Sequence, residues 1–265
     1  MRDAIRLAVG TLTIVPTAPP NVVDRRVGSW AMTFAPLVGA LLALVAGTVL
    51  WLLTQGAFGP GPYAGISPVL AAVLTVSLLV VLTRAMHLDG LADTADGLGS
   101  GRPAAAALEI MRNGDIGPFG VVTIVLTLLI QVADLAQLVA EGIGPLSVAL
   151  ALVVSRLVLP VVCSRGVPAA RPEGLGQVVA DSVGRAQLLL AVGLAAISVV
   201  ALSALAGVLL DVAIARPAAL SVLGLLAGAA LCWWCVRRLG GVTGDVMGAC
   251  VEVTFTATLV VLTVW

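Results

Sequence analysis

The sequence predicts an all-α fold, a polytopic integral membrane helical bundle of about seven transmembrane helices with an N-terminal interfacial helix. Of the 265 residues, 60% are hydrophobic and only 11% are charged, whereas soluble domains carry about 25% charged residues. The mean hydropathy is +1.14. Long apolar runs recur along the whole chain, and the arginines between them follow a consistent pattern. The lipid bilayer is therefore the expected surrounding of residues 1–265, which form a single transmembrane domain.

The first twenty residues predict a short interfacial helix rather than a signal peptide. Charged residues at Arg2, Asp3 and Arg6 precede an apolar run that ends at Pro16. The run is interrupted by Gly10 and lacks the small-residue pattern of a cleavage site. We expect this helix to lie half-buried beside the membrane-spanning part.

Seven apolar runs follow, each close to the roughly 20 residues that a helix needs to cross a bilayer. The predicted spans are Trp30–Leu53, Pro68–Thr83, Phe119–Leu138, Pro145–Val162, Ala186–Leu210, Pro217–Val236 and Ala249–Trp265. The second run is short unless it continues into the polar stretch after it. Breaker residues separate several runs, at Gly56–Pro62, Gly142–Pro145 and Arg216–Pro217.

The arginines predict the orientation in the membrane. In an alternating seven-span order, 13 of the 14 arginines fall on one side, and only Arg216 falls on the other. By the positive-inside rule, that side and the N-terminus are cytoplasmic, and the C-terminus is outside. Three polar segments, near residues 84–118, 164–185 and 237–248, then face the cytoplasm as candidate active-site segments. The formal net charge is zero, so no nucleic-acid partner is expected.

Four cysteines are present, and two of them have a spacing found in redox and metal sites. Cys232 and Cys235 lie in an apolar run, where small apolar side chains pack well in a helix. A structural role is favoured, with a redox or metal role as the alternative. No disulfide framework is implied.

The stretch Arg84–Gly120 concentrates the polar chemistry of the chain. It contains the only histidine, His87, and four of the ten aspartates. Polar groups are costly in a membrane protein, so such a cluster is a functional-site hypothesis. The alternative is a solvated loop that is rich in aspartate and glycine.

Three aspartates in this stretch predict a magnesium site. Asp89, Asp93 and Asp96 have i, i+4, i+7 spacing and share one helix face. Their carboxylates repel one another unless a cation lies between them, and oxygen-only ligands suit Mg²⁺ bound together with substrate phosphates. A zinc site is disfavoured because one histidine without a nearby cysteine does not make a tetrahedral site.

Other polar residues predict binding of a phosphate-containing substrate. The guanidinium groups of Arg84 and Arg112 suit phosphate oxygens. His87 has the chemistry of a general base or of a group that orients a phosphate. Asp245 precedes the last predicted span, as a metal or substrate ligand or as a helix cap. Together these residues predict a Mg²⁺-dependent, cytoplasm-facing enzyme acting on a phosphate compound.

Several segments closely resemble one enzyme family. The run His87–Leu98 (HLDGLADTADGL) and the run Glu109–Gly120 (EIMRNGDIGPFG) resemble those of cobalamin synthases, the adenosylcobinamide-GDP ribazoletransferases. Similar pieces occur at Leu12–Pro16, Ala170–Gly176 and Gly240–Ala249, so the resemblance covers nearly the whole chain. Asn113 departs from the family, in which aspartate often follows Met-Arg.

The resemblance implies a late step of adenosylcobalamin assembly. α-Ribazole, or its 5′-phosphate, would attack adenosylcobinamide-GDP, releasing GMP and forming adenosylcobalamin or its 5′-phosphate. It also implies Mg²⁺ and a multi-pass location in a bacterial plasma (inner) membrane. Oligomerisation stays open.

With this substrate, the predicted roles of the site residues become more specific. Asp89, Asp93 and Asp96 would hold Mg²⁺, while His87 or one of these aspartates would act as base. Arg84 and Arg112 would lie near phosphate. Asp115 and Asp245 would bind substrate or a second metal ion.

Two other functions are open at this stage. A CDP-alcohol phosphotransferase making phospholipid also attacks a pyrophosphate with an alcohol, but its motif has arginine after alanine where this chain has Asp93. An ion-coupled transporter would place charges near the bilayer midplane, whereas here the aspartates cluster at helix ends and loops.

Overall fold

The chain is helical throughout the computed structural model, which describes residues 1–54, 66–210 and 215–264 and, within the last two ranges, omits the side chains of residues 206–210 and 215–218. No strand occurs in these ranges; two isolated β-bridges join loops. The helices are α1 (Arg2–Leu12), α2 (Arg25–Thr33), α3 (Ala35–Thr54), α4 (Pro68–Leu82), α5 (Met86–Gly99), α6 (Ala104–Ile110), α7 (Pro118–Ala140), α8 (Gly144–Val162), α9 (Leu175–Val179), α10 (Arg185–Leu210), α11 (Ala215–Leu239) and α12 (Gly244–Thr263).

The predicted polytopic helical membrane fold is confirmed. Among the described residues, six helices are long and apolar enough to cross a bilayer, namely α3, α7, α8, α10, α11 and α12. A seventh crossing is obtained when α4 and α5 are counted as one broken span, with an angle of 88° between them. The short second run of the sequence corresponds to α4, which has 15 residues.

Two predicted span boundaries differ from the structure for local reasons. The first span begins at Ala35, because α2 is a separate helix whose N-terminus is capped by Asp24 accepting the Val27 N–H. The last span begins at Gly244, because the Thr243 hydroxyl accepts the Val246 N–H and starts α12 earlier. The predicted breaker Gly56–Pro62 lies within residues 55–65, outside the described residues, as do Trp265 and the side chain of Arg216.

Helix α8 forms the centre of the bundle. Every residue from Leu146 to Pro160 is buried, and α3, α7, α10, α11 and α12 pack around it. Gly39 allows α3 to approach closely, since a Cβ there would lie 2.6 Å from the Leu152 carbonyl oxygen. The predominantly apolar character of α8 thus reflects burial on all sides within the protein, and its polar residues Ser147, Ser155 and Arg156 are buried as well.

The polar segments of the sequence meet at one end of this bundle. Arg25 of α2 forms an ion pair with Asp181 in the loop before α10, with 3.4 Å between Nη2 and Oδ2. Ala169, in the loop between α8 and α9, forms a parallel bridge with Val242, shortly before α12. The segments near 164–185 and 237–248 are therefore neighbours, although a long apolar stretch separates them in sequence.

Candidate active site

A sharp turn between α4 and α5 positions the aspartate-bearing helix. Arg84 and Ala85 have φ values of 55° and 53°, a left-handed conformation that costs a non-glycine residue about 1–2 kcal/mol. The N-terminal segment braces this turn: the Ile14 N–H donates to the Leu82 carbonyl at 2.7 Å, and the Arg84 guanidinium donates to the Gly10 carbonyl at 2.8 Å. Helix α5 consequently runs at 88° to α4 and packs against α12 and α7.

Glycines bring α5 into close contact with the start of α12. A Cβ on Gly90 would lie 2.7 Å from the backbone oxygen of Asp245, and a Cβ on Gly248 would lie 3.2 Å from the Cα of His87. Only residues without a Cβ fit at such a crossing. The crossing places the first turn of α12, with Asp245, beside the aspartate face of α5.

Three aspartates and one arginine gather at this crossing. Burial, followed by the charges of Asp245, Asp89 and Asp96, raises the pKa of Asp93 to about 6, while Arg171 opposes the rise. The Arg171 Nη1 atom lies 3.5 Å from Asp245 Oδ2. We call Asp89, Asp93 and Asp245 the acidic cluster. Their like charges are close enough to disturb one another, so the cluster is suited to a cationic partner.

Asp96 has a different set of partners from the acidic cluster. Its two carboxylate oxygens accept the backbone N–H groups of Gly117 at 2.7 Å and Gly120 at 2.9 Å. It is 6% exposed and acts as a carboxylate cap at the N-terminus of α7. The magnesium role predicted for Asp96 stays a prediction. In the structure, its carboxylate caps the N-terminus of α7.

His87 is buried beside the acidic cluster. It is 2% exposed, and neither ring nitrogen has a hydrogen-bond partner among the described residues. Burial, together with the charge of Arg156, lowers the pKa of His87 to about 3. The role of general base that the sequence predicts for His87 stays a prediction.

A pocket of about 340 Å³ opens at the crossing. Its inner wall is built from buried residues, which are mainly apolar: Leu12, Met32, His87, Leu159 and Met247. Its mouth is lined by polar or exposed residues: Asp89, Arg171, Glu173, Gln177, Gly244 and Asp245. The pocket thus joins an apolar interior to a charged entrance, as small-molecule sites commonly do.

The other predicted phosphate and substrate residues lie further from this pocket. Arg112 pairs with Glu173 at 3.0 Å, which places Arg112 at the rim. Arg84 is exposed and binds the Gly10 carbonyl. Asp115 is exposed in the loop before α7, and its side chain forms no ion pair or hydrogen bond within the described ranges.

Comparison with known proteins identifies the family. Residues 4–263 match the family model described as cobalamin-5-phosphate synthase. The chain belongs to the cobalamin-5-phosphate synthase family. No solved structure matches it.

Three relatives of this member of the cobalamin-5-phosphate synthase family carry the name adenosylcobinamide-GDP ribazoletransferase. The protein from Frankia casuarinae is 38% identical over 265 residues, covering 97% of this chain and 93% of its own length. That from Nocardioides is 39% identical over 259 residues, covering 98% and 97%. That from Escherichia coli is 36% identical over 219 residues, covering 82% and 81%.

In this member of the cobalamin-5-phosphate synthase family, sequence reasoning did not single out one residue of the pocket. That residue is Arg171, whose guanidinium also donates to the carbonyl of Leu108 and so links α6 to Asp245. The segment 174–177, which lines the mouth, lies within the predicted active-site segment 164–185. The segment Ala170–Gly176 carried a family resemblance, and that was the available signal. Its proximity to α12 depends on the tertiary fold.

The acidic cluster fits a magnesium ion by the chemistry of its donors. Within the described ranges, no three or more histidine, cysteine, aspartate or glutamate side chains are arranged to hold a metal ion. Mg²⁺ needs fewer protein ligands, because it binds through one or two carboxylates together with substrate phosphates and water. Asp89, Asp93 and Asp245 supply only oxygen, in keeping with that mode. All four cysteines are free and buried, in agreement with a structural role.

Proposed function

We propose that this chain transfers α-ribazole, or its 5′-phosphate, onto adenosylcobinamide-GDP. A ribose hydroxyl oxygen forms a bond to the phosphorus next to the cobinamide, and the bond from that phosphorus to the bridging oxygen breaks. GMP leaves, and adenosylcobalamin or its 5′-phosphate forms. Family membership over residues 4–263 and the shared name of the relatives support this assignment.

The observation that carries the proposal is the meeting of the acidic cluster with Arg171 at the pocket mouth. Transfer at a pyrophosphate needs little covalent chemistry from the protein, because positioning and charge neutralisation lower most of the barrier. Arg171 offers donors to phosphate oxygens, and it is held in place by Asp245 and by the Leu108 carbonyl.

Magnesium is part of this proposal. One or two carboxylates of the acidic cluster would hold the ion together with substrate phosphates, and the bound ion would neutralise charge on the pyrophosphate and on the departing GMP. The hydroxyl proton passes to a carboxylate of the acidic cluster, and Asp89 is exposed at the pocket. Arg112, which pairs with Glu173 at the rim, would contact phosphate in exchange for this ion pair.

We further propose a bacterial plasma membrane as the location, with the site facing the cytoplasm. Support comes from the arginines: Arg25, Arg84, Arg112 and Arg171 all lie at the end of the bundle that carries the pocket. A periplasm-active reporter enzyme fused after Thr263 should be active, and one fused in the loop 164–185 should be inactive. The reverse pattern would contradict the orientation.

The activity is tested with the full chain in proteoliposomes. Adenosylcobinamide-GDP and α-ribazole should yield GMP and a cobalamin product in equal amounts, and a chelator of Mg²⁺ should abolish both. A cooperative thermal unfolding transition should show that the protein is folded. If folded protein releases no GMP under these conditions, the proposal is wrong.

A further inference from the structure

A pocket rich in arginine lies between α2 and the loops on either side of α9. Its volume is about 530 Å³. It is lined by three arginines and one carboxylate, together with neutral polar side chains and a tryptophan: Arg25, Arg26, Ser29, Trp30, Arg165, Asp181, Ser182 and Gln187. We call it the basic pocket. It shares no lining residue with the pocket beside the acidic cluster, so it is separate from the candidate active site.

Two arginines of the basic pocket have no partner in the protein. The Asp181 carboxylate lies 3.4 Å from Arg25 Nη2 and accepts the Gly166 N–H at 2.7 Å, so the one negative charge is already paired. Arg26 and Arg165 are exposed, and neither side chain forms an ion pair or hydrogen bond in the part of the chain that the structure describes. Guanidinium groups bind phosphate oxygens through paired N–H donors. The basic pocket is therefore suited to a phosphate group.

Hydrogen bonds fix the wall of the basic pocket between two helices. The Gln187 amide donates to the Ser29 hydroxyl at 3.1 Å, and that hydroxyl donates to the Arg26 carbonyl at 2.9 Å. The Gln187 side-chain oxygen accepts the Gly184 N–H at 3.1 Å. These bonds join α2 to the first turn of α10, so the basic pocket is built on helices rather than on a single loop.

The basic pocket lies where spanning helices begin and end. Arg165 follows the end of α8 by three residues, Gln187 lies in the first turn of α10, and Trp30 precedes α3 by five residues. Helices α3, α8 and α10 are all long and apolar enough to cross a bilayer. Their ends mark the boundary of the hydrocarbon layer, which is the level of lipid head groups.

Apolar side chains continue from the basic pocket into the spanning part. Trp30 stacks on Phe34, with 5.6 Å between the ring centroids, and tryptophan is enriched at membrane–water interfaces. On α10, Leu190 lies one turn after Gln187 on the same face and is 41% exposed. The neighbouring Leu189 is 73% exposed. A phospholipid has the same two parts, a charged phosphate joined to acyl chains.

We propose that the basic pocket binds the head group of an anionic phospholipid. The phosphate lies between Arg26 and Arg165, and the acyl chains run along Phe34 and Leu190. Three arginines and one aspartate give this pocket a net charge of +2, which favours an anionic head group over a zwitterionic one. The site is apart from the acidic cluster and does not depend on the proposed function.

The test measures which lipid the full chain retains in detergent micelles. Purified protein is mixed with equal amounts of phosphatidylglycerol and phosphatidylcholine that carry the same acyl chains, and native mass spectrometry counts the bound lipids. Phosphatidylglycerol should be retained about fivefold or more over phosphatidylcholine, because its net charge matches the two unpaired arginines. Equal retention of the two lipids would overturn the proposal.

Variants then locate the preference at the basic pocket. Arg26→Gln combined with Arg165→Gln should reduce it to about twofold or less, and Arg165→Gln alone should give an intermediate value. Neither side chain bonds to the protein, so thermal unfolding without added lipid should match the wild type. The matched control is Arg2→Gln combined with Arg102→Gln, which removes two exposed charges outside the basic pocket and should keep the preference.

Competition distinguishes a lipid from a soluble phosphate compound. Inorganic phosphate and glycerol 1-phosphate, each in large excess, should leave phosphatidylglycerol bound, because neither has acyl chains to contact Phe34 and Leu190. Displacement of the lipid by either compound would overturn the lipid assignment. A preference that persists in the double variant of Arg26 and Arg165 would place the lipid elsewhere on the protein and would also overturn it.

Discussion

The carboxylate of Asp96 accepts the backbone N–H of Gly117 at 2.7 Å and so holds the start of α7 against α5. A Cβ on Gly117 would lie 2.5 Å from Asp96 Oδ1, which shows how closely the two segments fit. The aspartate spacing of the sequence grouped Asp96 with Asp89 and Asp93 as one magnesium face. The contact with Gly117 gives a way to separate a structural from a metal-binding role.

Asp96→Asn is expected to destabilise the protein by about 1–2 kcal/mol, the usual cost of losing a helix N-cap, because an amide accepts two N–H groups less well than a carboxylate. Thermal unfolding in nanodiscs measures the loss. The Mg²⁺ concentration for half-maximal GMP release should stay at the wild-type value. An increase of tenfold or more in that concentration, with unchanged stability, would instead make Asp96 a metal ligand.

Asp89→Asn and Asp93→Asn are expected to lower activity without lowering stability, unlike Asp96→Asn. GMP release should fall by about 100-fold or more, as when a group that stabilises transition-state charge is removed. Stability should stay equal or rise, because Asp93 is repelled by Asp89 and Asp245. Glu141→Gln, an exposed change at the far end of α7, is the control and should keep full activity. Wild-type rates in Asp89→Asn would refute the magnesium assignment.

Arg171→Lys is expected to lower kcat/KM for adenosylcobinamide-GDP by about 10- to 100-fold. A lysine cannot reproduce the forked donors of the guanidinium, which contact both Asp245 and the Leu108 carbonyl. Arg2→Lys, at an exposed arginine of α1, is the matched control and should leave the value unchanged. If Arg2→Lys lowered kcat/KM as much as Arg171→Lys, the loss would reflect a general effect of replacing arginine by lysine rather than a role for Arg171.

Gly90→Ala is expected to reduce both stability and activity, because the new Cβ would lie 2.7 Å from the Asp245 backbone and push α5 away from α12. Gly193→Ala is a matched helical control in α10, where a Cβ would have no neighbour within 4 Å. That control should be neutral or should stabilise the helix by about 0.5–1 kcal/mol. Thermal unfolding and GMP release, measured on both variants, check the prediction. Full activity in Gly90→Ala would show that the tight crossing is dispensable.

The sequence could predict the membrane fold and a candidate site because both depend on local composition. Apolar runs of sufficient length mark the spans, and the polar stretch after α4 contains Asp89 and Asp93, which the structure places in the acidic cluster. Asp245 was also predicted as a candidate ligand. In the structure, the close approach of the Asp245 backbone to Gly90 brings the start of α12 against α5.

The rest depends on tertiary contacts that no spacing rule encodes. Asp96 shares a helix face with Asp93, yet its oxygens reach the backbone of α7 because Gly117 and Gly120 leave room for them. Arg171 enters the site through a loop that is paired with residue Val242. The right angle before α5 arises at Arg84 and Ala85, two residues without any glycine signal for a left-handed turn.

That right angle has a consequence for the lipid around the protein. Helix α4 ends after 15 residues, a length of about 22 Å at 1.5 Å per residue, whereas the hydrocarbon layer of a bilayer is about 30 Å thick. A bilayer that matched α4 alone would have to be thinner than average beside this helix. We expect catalytic rate to fall as acyl chains lengthen in vesicles of graded thickness, which would link cobalamin assembly to the physical state of the membrane.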